Sequence, residues 1–411
     1  MPAQDLIFTA GDVYPRQKAL FEQYAAYYLR HIKSEYDRRG RFWNRDFSSP
    51  EAYERSVEPN RQHFLSAIGG WPWERGELGL RRERVAELPA FTVERVHYRL
   101  LDTISTDALL LVPHGPGPFP ALMVPAGVNG VPETVCGFTE MGRDPTNAYH
   151  RIGARLAAHG YLVLAIRMVT GFAPEMVRDL DHRAPTLMSP QQAEVRAMLL
   201  ERYGKDVAKD YSGGTRARGY LDRLCRTIGG RLMGTEMFAL SRGLDLIAGL
   251  PEAAPGRIGM YGISQGGMST LWLAALDRRI AAAVCGVYFN ERYTKQLIRI
   301  GENFPFVLGC EEEHMYPLLA EFADSDLASL ICPRAFAVEA GRGDDACCHG
   351  QVVQAFGAAK AFYERLGLGG KCELFMHEGV HEVEPVADVA AIRAVRFLDR
   401  WLKGGGAGKS G

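Results

Sequence analysis

A serine flanked by glycines is the strongest chemical signal in this sequence. Residues 262–266 read Gly-Ile-Ser-Gln-Gly, with an apolar run before them and a stretch rich in Met, Leu and Ala after them. The pattern G-x-S-x-G between a strand and a helix forms a sharp turn that exposes the serine hydroxyl. Side chains at the glycine positions would collide with the adjacent strand and helix. We therefore predict that Ser264 is a nucleophile and that the backbone N–H of Gln265 binds an oxyanion.

A serine nucleophile needs a base, and the base needs an acid that orients it. With this kind of turn the chain order is serine, acid, histidine. A predicted strand at 335–339 is followed by Ala-Gly-Arg-Gly-Asp-Asp, so two carboxylates stand just past it. Asp344 is our first choice for the acid and Asp345 is the alternative. Glu339 is a third candidate, although it lies on the predicted strand itself.

Two histidines follow the last predicted strand, which ends near residue 376. His381 comes after a glycine-bearing turn and before the last predicted helix, where a base above the sheet should stand. His377 lies nearer the end of the strand and is the alternative. The sequence therefore predicts His381 as the base.

A second oxyanion donor is expected in the loop after the predicted strand at 121–125. That loop reads Ala-Gly-Val-Asn-Gly, and its glycines allow the backbone to approach a substrate closely. We predict the N–H of Val128 as the donor, with the side chain of Asn129 as a further one. The alternative interpretation is a simple Asn-Gly turn.

Composition excludes several classes of function. The 411 residues are 47% hydrophobic and 24% charged, with a net charge of -1, as in an ordinary globular protein. There is no long basic stripe, so no nucleic-acid partner is expected. No apolar run reaches transmembrane length, and residues 1–14 do not resemble a secretory signal. These features predict a cytoplasmic protein with no membrane association.

Eight cysteines are present, and none forms a C-x-x-C pair. The sequence Cys347-Cys348-His349 resembles a metal-binding segment, but adjacent cysteines fit one tetrahedral zinc poorly and no second ligand pair is suitably spaced. We therefore expect reduced thiols, no metal and no cofactor.

The hydrophobic pattern divides the chain into three parts. Residues 1–90 are predicted to be a helical N-terminal region, residues 91–403 a catalytic α/β domain, and residues 404–411 a flexible tail. Strands alternating with helices predict a doubly wound, mostly parallel sheet of about eight strands. A helical insertion at about 169–232 is expected to form a lid over the site. The N-terminal helices leave three roles open: covering the core, capping the site or forming a homodimer interface.

Residues ~90–403 resemble the α/β-hydrolase superfamily, and most closely its dienelactone-hydrolase-like and acetyl-xylan-esterase-like branch. Three segments carry the resemblance: 261–267 around the serine, 330–344 with its Pro-Arg pair before the acid, and 375–381 leading to the histidine. The sequence departs from the branch in two places. Dienelactone hydrolases proper use cysteine where Ser264 stands, and the oxyanion loop often reads His-Gly where this chain has Ala126-Gly127.

The residues and the resemblance together predict a serine hydrolase that cleaves a carboxylic ester. The reaction would use a Ser264–His381–Asp344 catalytic triad and an acyl-enzyme intermediate, with Val128 and Gln265 as the oxyanion hole. The expected partner is a small-molecule ester or ketone. The same residues could instead serve a carbon–carbon bond hydrolase or an acyltransferase, so these alternatives stay open.

Overall fold

A nine-stranded sheet organises the part of the chain that the structure describes. The computed structural model describes residues 10–70, 74–101, 103–128, 130–168, 213–298 and 319–404. The strands of this sheet are, in chain order, β1 (Arg81–Glu87), β2 (Phe91–Arg99), β3 (Ser105–Pro113), β4 (Phe119–Pro125), β5 (Leu162–Ile166), β6 (Ala253–Ile263), β7 (Ile280–Gly286), β8 (Ala335–Gly341) and β9 (Cys372–His377).

The sheet is antiparallel at one edge and parallel elsewhere. Its strand order is β1-β2-β3-β5-β4-β6-β7-β8-β9. The pairs β1–β2, β2–β3 and β3–β5 are antiparallel, and every later pair is parallel. Strands β5 and β8 are buried along their whole length, as continuous apolar runs in a covered parallel sheet should be.

Helices fill the connections between the strands. The described α-helices are α1 (Ala10–Asp37), α2 (Pro50–Ala67), α3 (Pro132–Cys136), α4 (Glu140–Arg143), α5 (Ile152–Ala158), α6 (Gly213–Thr227), α7 (Leu232–Ala248), α8 (Gln265–Leu276), α9 (Arg292–Leu297), α10 (Asp324–Ile331), α11 (His349–Arg365) and α12 (Arg393–Leu402). Helices α8 and α12 both pack against β6 and β7. The predicted doubly wound α/β architecture is confirmed.

The first strand was not expected from the sequence. Strand β1 lies within the region 1–90 that was predicted to be helical, and it raises the number of described strands to nine. Its sequence Arg-Arg-Glu-Arg-Val-Ala-Glu is almost entirely exposed. An exposed edge strand rich in charge lacks the apolar alternation by which a strand is recognised. The domain boundary near residue 90 stays a prediction, although the described sheet already begins at Arg81.

Helix α2 joins the N-terminal region to the core of the sheet domain. Its Tyr53, Val57 and Phe64 are buried, and the ring of Phe64 makes an edge contact with Trp272 of α8 at a centroid distance of 5.2 Å. Arg61 is also buried, and its guanidinium donates to the carbonyl oxygens at the ends of α8 and α10. Helix α2 therefore covers the core, which was one of the three roles left open.

Other sequence expectations fall partly outside the described residues. Within the predicted insertion at 169–232, only the segment from residue 213 onward is described, and it contains α6. The lid role stays a prediction, as does the homodimer, and the tail from residue 405 lies outside the described residues. No helix among the described residues combines the length and apolar character needed to span a membrane. The cytoplasmic location stays a prediction.

Truncating Phe64 should measure how firmly α2 is attached to the core. Because Phe64 is almost completely buried, Phe64→Ala should lower the free energy of unfolding by about 3–5 kcal/mol. Phe21→Ala is the matched control, since that ring on α1 is 72% exposed, and it should change stability by less than about 0.5 kcal/mol. Urea denaturation of both variants tests the expectation, and equal stabilities would show that α2 is not part of the core.

Candidate active site

Ser264 occupies a strained turn between β6 and α8. Its backbone angles are φ 57° and ψ −125°, a region that non-glycine residues rarely adopt. The N–H of Ser264 donates to the carbonyl oxygen of Gly286 at the end of β7, over 3.0 Å, and its own carbonyl accepts from Met268 in the first turn of α8. The predicted strand–serine–helix turn is therefore present.

The glycines on either side of Ser264 are required by close backbone contacts. A Cβ atom on Gly262 would lie 2.4 Å from the carbonyl oxygen of Gly266. A Cβ atom on Gly266 would lie 2.5 Å from the carbonyl oxygen of Pro125. No flexible side chain could relieve these overlaps, because the neighbouring atoms belong to the backbone. The turn is thus pressed against the loop that follows β4.

The structure joins the predicted acid to the predicted base. His381 Nδ1 and Asp344 Oδ2 lie 2.8 Å apart, and the Asp344 side chain is completely buried. The other carboxylate oxygen of Asp344 accepts hydrogen bonds from the N–H groups of Ala346 and Cys347, at 2.8 and 3.0 Å. The carboxylate is therefore held in a fixed orientation toward the imidazole.

Backbone contacts hold the acid loop against the base loop. The N–H of Arg342 donates to the carbonyl oxygen of His377, and the N–H of Gly343 donates to that of Gly379. A Cβ atom on Gly341 would lie only 2.1 Å from the carbonyl oxygen of Val380. Glycine at this position therefore allows the two loops to approach closely enough for Asp344 to contact His381.

Two of the alternative site residues lie in different environments. Asp345 is exposed, whereas its neighbour Asp344 points inward to His381. His377 is buried, and its Nδ1 accepts from the N–H of Gly379 while its Nε2 lies 3.2 Å from the carbonyl oxygen of Glu382. Burial lowers the pKa of His377. Both ring nitrogens of His377 therefore bind the backbone of the turn that carries His381.

Glu339, the third candidate for the acid, is enclosed by different groups. Its carboxyl is fully buried in β8, where it accepts a 2.6 Å hydrogen bond from the Tyr261 hydroxyl and another from the N–H of Glu384. Burial, with a smaller contribution from the Glu384 carboxylate, raises the pKa of Glu339 to about 7. The structure thus brings Asp344, and not Glu339, to the histidine.

The predicted oxyanion loop lies beside the serine. A Cβ atom on Gly127 would be 3.3 Å from the Cβ of Ser264, and the N–H of Gly130 closes a turn onto the carbonyl oxygen of Gly127. Val128 lies in this turn, and Gln265 begins α8 directly after the serine. Asn129, proposed as an extra donor, lies outside the described residues.

The serine and the histidine are not hydrogen-bonded to each other. Among the described residues, Ser264 Oγ makes no hydrogen bond with the imidazole of His381. The carboxyl ends of the parallel strands β6, β8 and β9 nevertheless reach the same edge of the sheet, where ligands bind in such folds. Catalytic hydrogen bonds in unliganded enzymes are often long and shorten only when substrate binds.

One group of side chains near the site has the composition of a metal site. Ligand atoms of Asp344, Cys347 and His381 lie within 4.8 Å of one another. The Asp344 oxygens already accept from two backbone N–H groups and face His381, and burial raises the pKa of the Cys347 thiol to about 11. The Asp344 carboxylate is thus already engaged by hydrogen bonds from the protein itself.

One residue of this site had no signal in the sequence. Tyr149 reaches the predicted oxyanion loop from the segment before α5. It belongs to no motif, and only the packing of distant segments brings it to the site. Cys347 was noted in the sequence only as part of a metal-like segment; the structure places it in the same loop as Asp344, with Lys295 Nζ 3.3 Å from its sulfur.

Comparisons with known proteins give a consistent fold. No known protein-family profile matches the chain. A 164-residue segment is 29% identical to YtaP of Bacillus subtilis strain 168, a protein provisionally named a hydrolase. The match covers 39% of this chain and only half of that relative.

Two solved structures superpose over most of the chain. An acetyl xylan esterase (provisionally so named) from Bacteroides fragilis has a TM-score of 0.56 and 16% identity, covering 80% of this chain and 77% of its own. A glucuronoyl esterase from Solibacter usitatus has a TM-score of 0.55 and 14% identity, covering 87% and 94%.

These likenesses show the fold, which is that of the α/β-hydrolases, as the resemblance had implied. At such low identity a shared fold does not transfer a substrate or a set of functional residues. Any role of Ser264, Asp344 and His381 therefore depends on the geometry of this site.

Replacing Glu339 should reveal its buried proton. Between its ordinary pKa of 4.5 and about 7, the native state holds a proton that the unfolded chain has lost, so the stability of the wild type falls as the pH rises. The amide side chain of the Glu339→Gln variant does not ionise in this pH range. Its stability relative to the wild type should therefore increase by on the order of 3 kcal/mol from about pH 4 to about pH 8.

Chemical denaturation across that pH range measures the difference. Glu378→Gln is the control, because that side chain is 86% exposed, and it should follow the wild-type curve. A constant difference between Glu339→Gln and the wild type at every pH would contradict the assignment.

Proposed function

We propose that this chain is a serine hydrolase that cleaves a carboxylic ester. The observation that carries the proposal is the hydrogen bond between the buried Asp344 carboxylate and the His381 imidazole, on the sheet edge where the strained turn presents Ser264. An imidazole oriented by a buried carboxylate is the base that a serine hydroxyl requires. The esterase names of two structural neighbours support the same reaction class.

Acylation would begin at the serine hydroxyl. Ser264 Oγ attacks the ester carbonyl carbon, a new C–O bond forms, and the π electrons of the carbonyl move to its oxygen. His381 accepts the hydroxyl proton at Nε2, because Nδ1 is engaged by Asp344. When the tetrahedral intermediate collapses, the bond to the leaving alcohol breaks and His381 donates the proton to that alcohol. Water then repeats these steps on the acyl-enzyme and releases the acid.

Backbone N–H groups would stabilise the developing negative charge. Gln265 supplies the first N–H of α8, where the positive end of the helix dipole also favours an anion. Val128 lies in the turn beside Ser264 and would supply the second donor. An oxyanion-hole donor of this kind contributes on the order of 3 kcal/mol to transition-state stabilisation.

Esters linked to carbohydrates are the first substrate class to test. The structural neighbours are named for acetyl xylan and glucuronoyl esters, so acetylated sugars and sugar uronate esters belong in the first screen. Aryl acetates serve as generic probes of an activated serine. Product analysis with an added alcohol separates ester hydrolysis from acyl transfer, and ketone substrates test carbon–carbon cleavage.

Replacing the serine should abolish catalysis without unfolding the protein. A fluorophosphonate probe should form one adduct, which mass mapping places on Ser264, and Ser264→Ala should form none and lose aryl-acetate turnover. Ser269→Ala, in the same helix, removes a buried hydroxyl and should label like the wild type. Labelling of Ser264→Ala at an undiminished rate would eliminate Ser264 as the nucleophile.

The two adjacent aspartates should behave very differently when replaced. Asp344→Asn keeps the shape of the buried side chain but favours the wrong imidazole tautomer, so kcat should fall by about 10⁴-fold. Asp345→Asn changes an exposed side chain and should stay within about threefold of the wild type. Steady-state kinetics with an aryl acetate compares them, and equal losses in the two variants would contradict the assignment of Asp344.

A further inference from the structure

The hydroxyl of Tyr149 lies at the loop that is predicted to bind the oxyanion. Tyr149 precedes α5 in the chain, and its Oη accepts a hydrogen bond from the N–H of Gly127 over 2.6 Å. Gly127 is the second residue of the loop that follows β4. A tyrosine from a distant segment therefore contacts the backbone next to Val128.

The same hydroxyl is close to the nucleophile. The position that a Cβ atom on Gly127 would occupy is 2.9 Å from Tyr149 Oη and 3.3 Å from Ser264 Cβ. A Cβ atom on Gly130 would lie 2.7 Å from the same hydroxyl. Glycine at both positions leaves room for the tyrosine hydroxyl against the loop that lies beside the serine.

The direction of the hydrogen bond leaves a proton available. A tyrosine hydroxyl has one O–H donor and two acceptor lone pairs. Because the N–H of Gly127 can only donate, the Tyr149 hydroxyl is the acceptor, and its own proton is not used in that bond. Among the described residues, the hydroxyl makes no other hydrogen bond. The bond from Gly127 also polarises the hydroxyl and makes it a better donor.

We propose that the Tyr149 hydroxyl donates a hydrogen bond to the oxyanion formed when Ser264 attacks a substrate, alongside the backbone N–H groups. This inference rests on the proposed function. It adds a tyrosine hydroxyl to a hole for which the sequence predicted two backbone N–H groups and the side chain of Asn129. Gly127 then acts through Tyr149, because its N–H orients the hydroxyl and does not contact the substrate.

The environment of Tyr149 keeps the donor proton in place. Burial raises the pKa of Tyr149 to about 12, so the hydroxyl remains protonated at neutral pH. Ionisation of the phenol would replace the donor with a negative charge beside the oxyanion.

Removing only the hydroxyl tests the role. Tyr149→Phe keeps the ring and should lower kcat for an aryl acetate by about 10²–10³-fold with little change in KM, as for loss of one oxyanion donor. Tyr161→Phe is the matched control, because it also deletes a tyrosine hydroxyl that makes a hydrogen bond, in that case to Asp399. The control should retain wild-type kcat.

A pair of ketones separates oxyanion binding from mere support of the loop. An aryl trifluoromethyl ketone adds to an activated serine and forms a charged hemiketal, whereas the matched methyl ketone binds without addition. Tyr149→Phe should weaken inhibition by the trifluoromethyl ketone in proportion to its loss of kcat/KM, and should leave inhibition by the methyl ketone unchanged. Equal weakening for both ketones would assign Tyr149 a structural role and overturn the inference.

A second measurement uses only the wild-type protein, so it does not depend on whether the Tyr149→Phe variant folds. In a crystal structure of the wild type with the trifluoromethyl ketone, Tyr149 Oη should lie about 2.7–3.1 Å from the hemiketal oxygen. A distance beyond about 4 Å, or a Tyr149→Phe enzyme with kcat within twofold of the wild type, would overturn the inference. Failure of the proposed function looks different, because the wild type itself would then form no adduct at Ser264.

Discussion

The backbone conformation of Ser264 is the constraint on which the rest of the site depends. A non-glycine residue at φ 57° costs on the order of 1–3 kcal/mol and persists only where its surroundings enforce it. Here the enforcement comes from three neighbouring segments. The N–H of Ser264 is bound by the end of β7, the glycines on either side touch each other's backbone, and the loop after β4 presses on Gly266. The same contacts that hold the strained serine therefore also place the loop after β4, which is the proposed oxyanion loop, next to it.

A second set of contacts at the same edge of the sheet positions Asp344 and His381. Strands β8 and β9 are parallel neighbours, so the loops that follow them emerge side by side. Gly341 lets the first loop touch the backbone of Val380, and two backbone hydrogen bonds then fix the loops together. Three donors directed at Asp344 leave its carboxylate little freedom to rotate. The orientation of His381 is thus set mainly by backbone packing, to which a single side-chain hydrogen bond is added.

The sequence revealed those parts of the fold and site that depend on local pattern. The turn around Ser264 could be recognised because its glycines are required by contacts within a few residues, and the parallel strands because they are continuous apolar runs. The choice between Asp344 and Asp345 was open, since both occupy the same loop and only the approach of β9 shows which one turns inward. Strand β1 escaped recognition because an exposed charged strand is defined by its pairing with β2. Tyr149 could not be identified either, because its contact with Gly127 joins segments that no motif connects.

The hydroxyls of Tyr261 and Tyr149 differ in the direction of their hydrogen bonds. Tyr261 donates its proton to Glu339, so its donor capacity is consumed inside the core. Tyr149 accepts from Gly127 and keeps its proton for another acceptor.

The Glu339 carboxyl lies close to Gly286, whose carbonyl oxygen accepts the hydrogen bond from the N–H of Ser264. An ionised carboxylate there would oppose a second negative charge on a bound oxyanion. Because burial raises the pKa of Glu339 to about 7, that opposing charge is largely absent in mildly acidic solution, and it grows as the pH rises above neutrality.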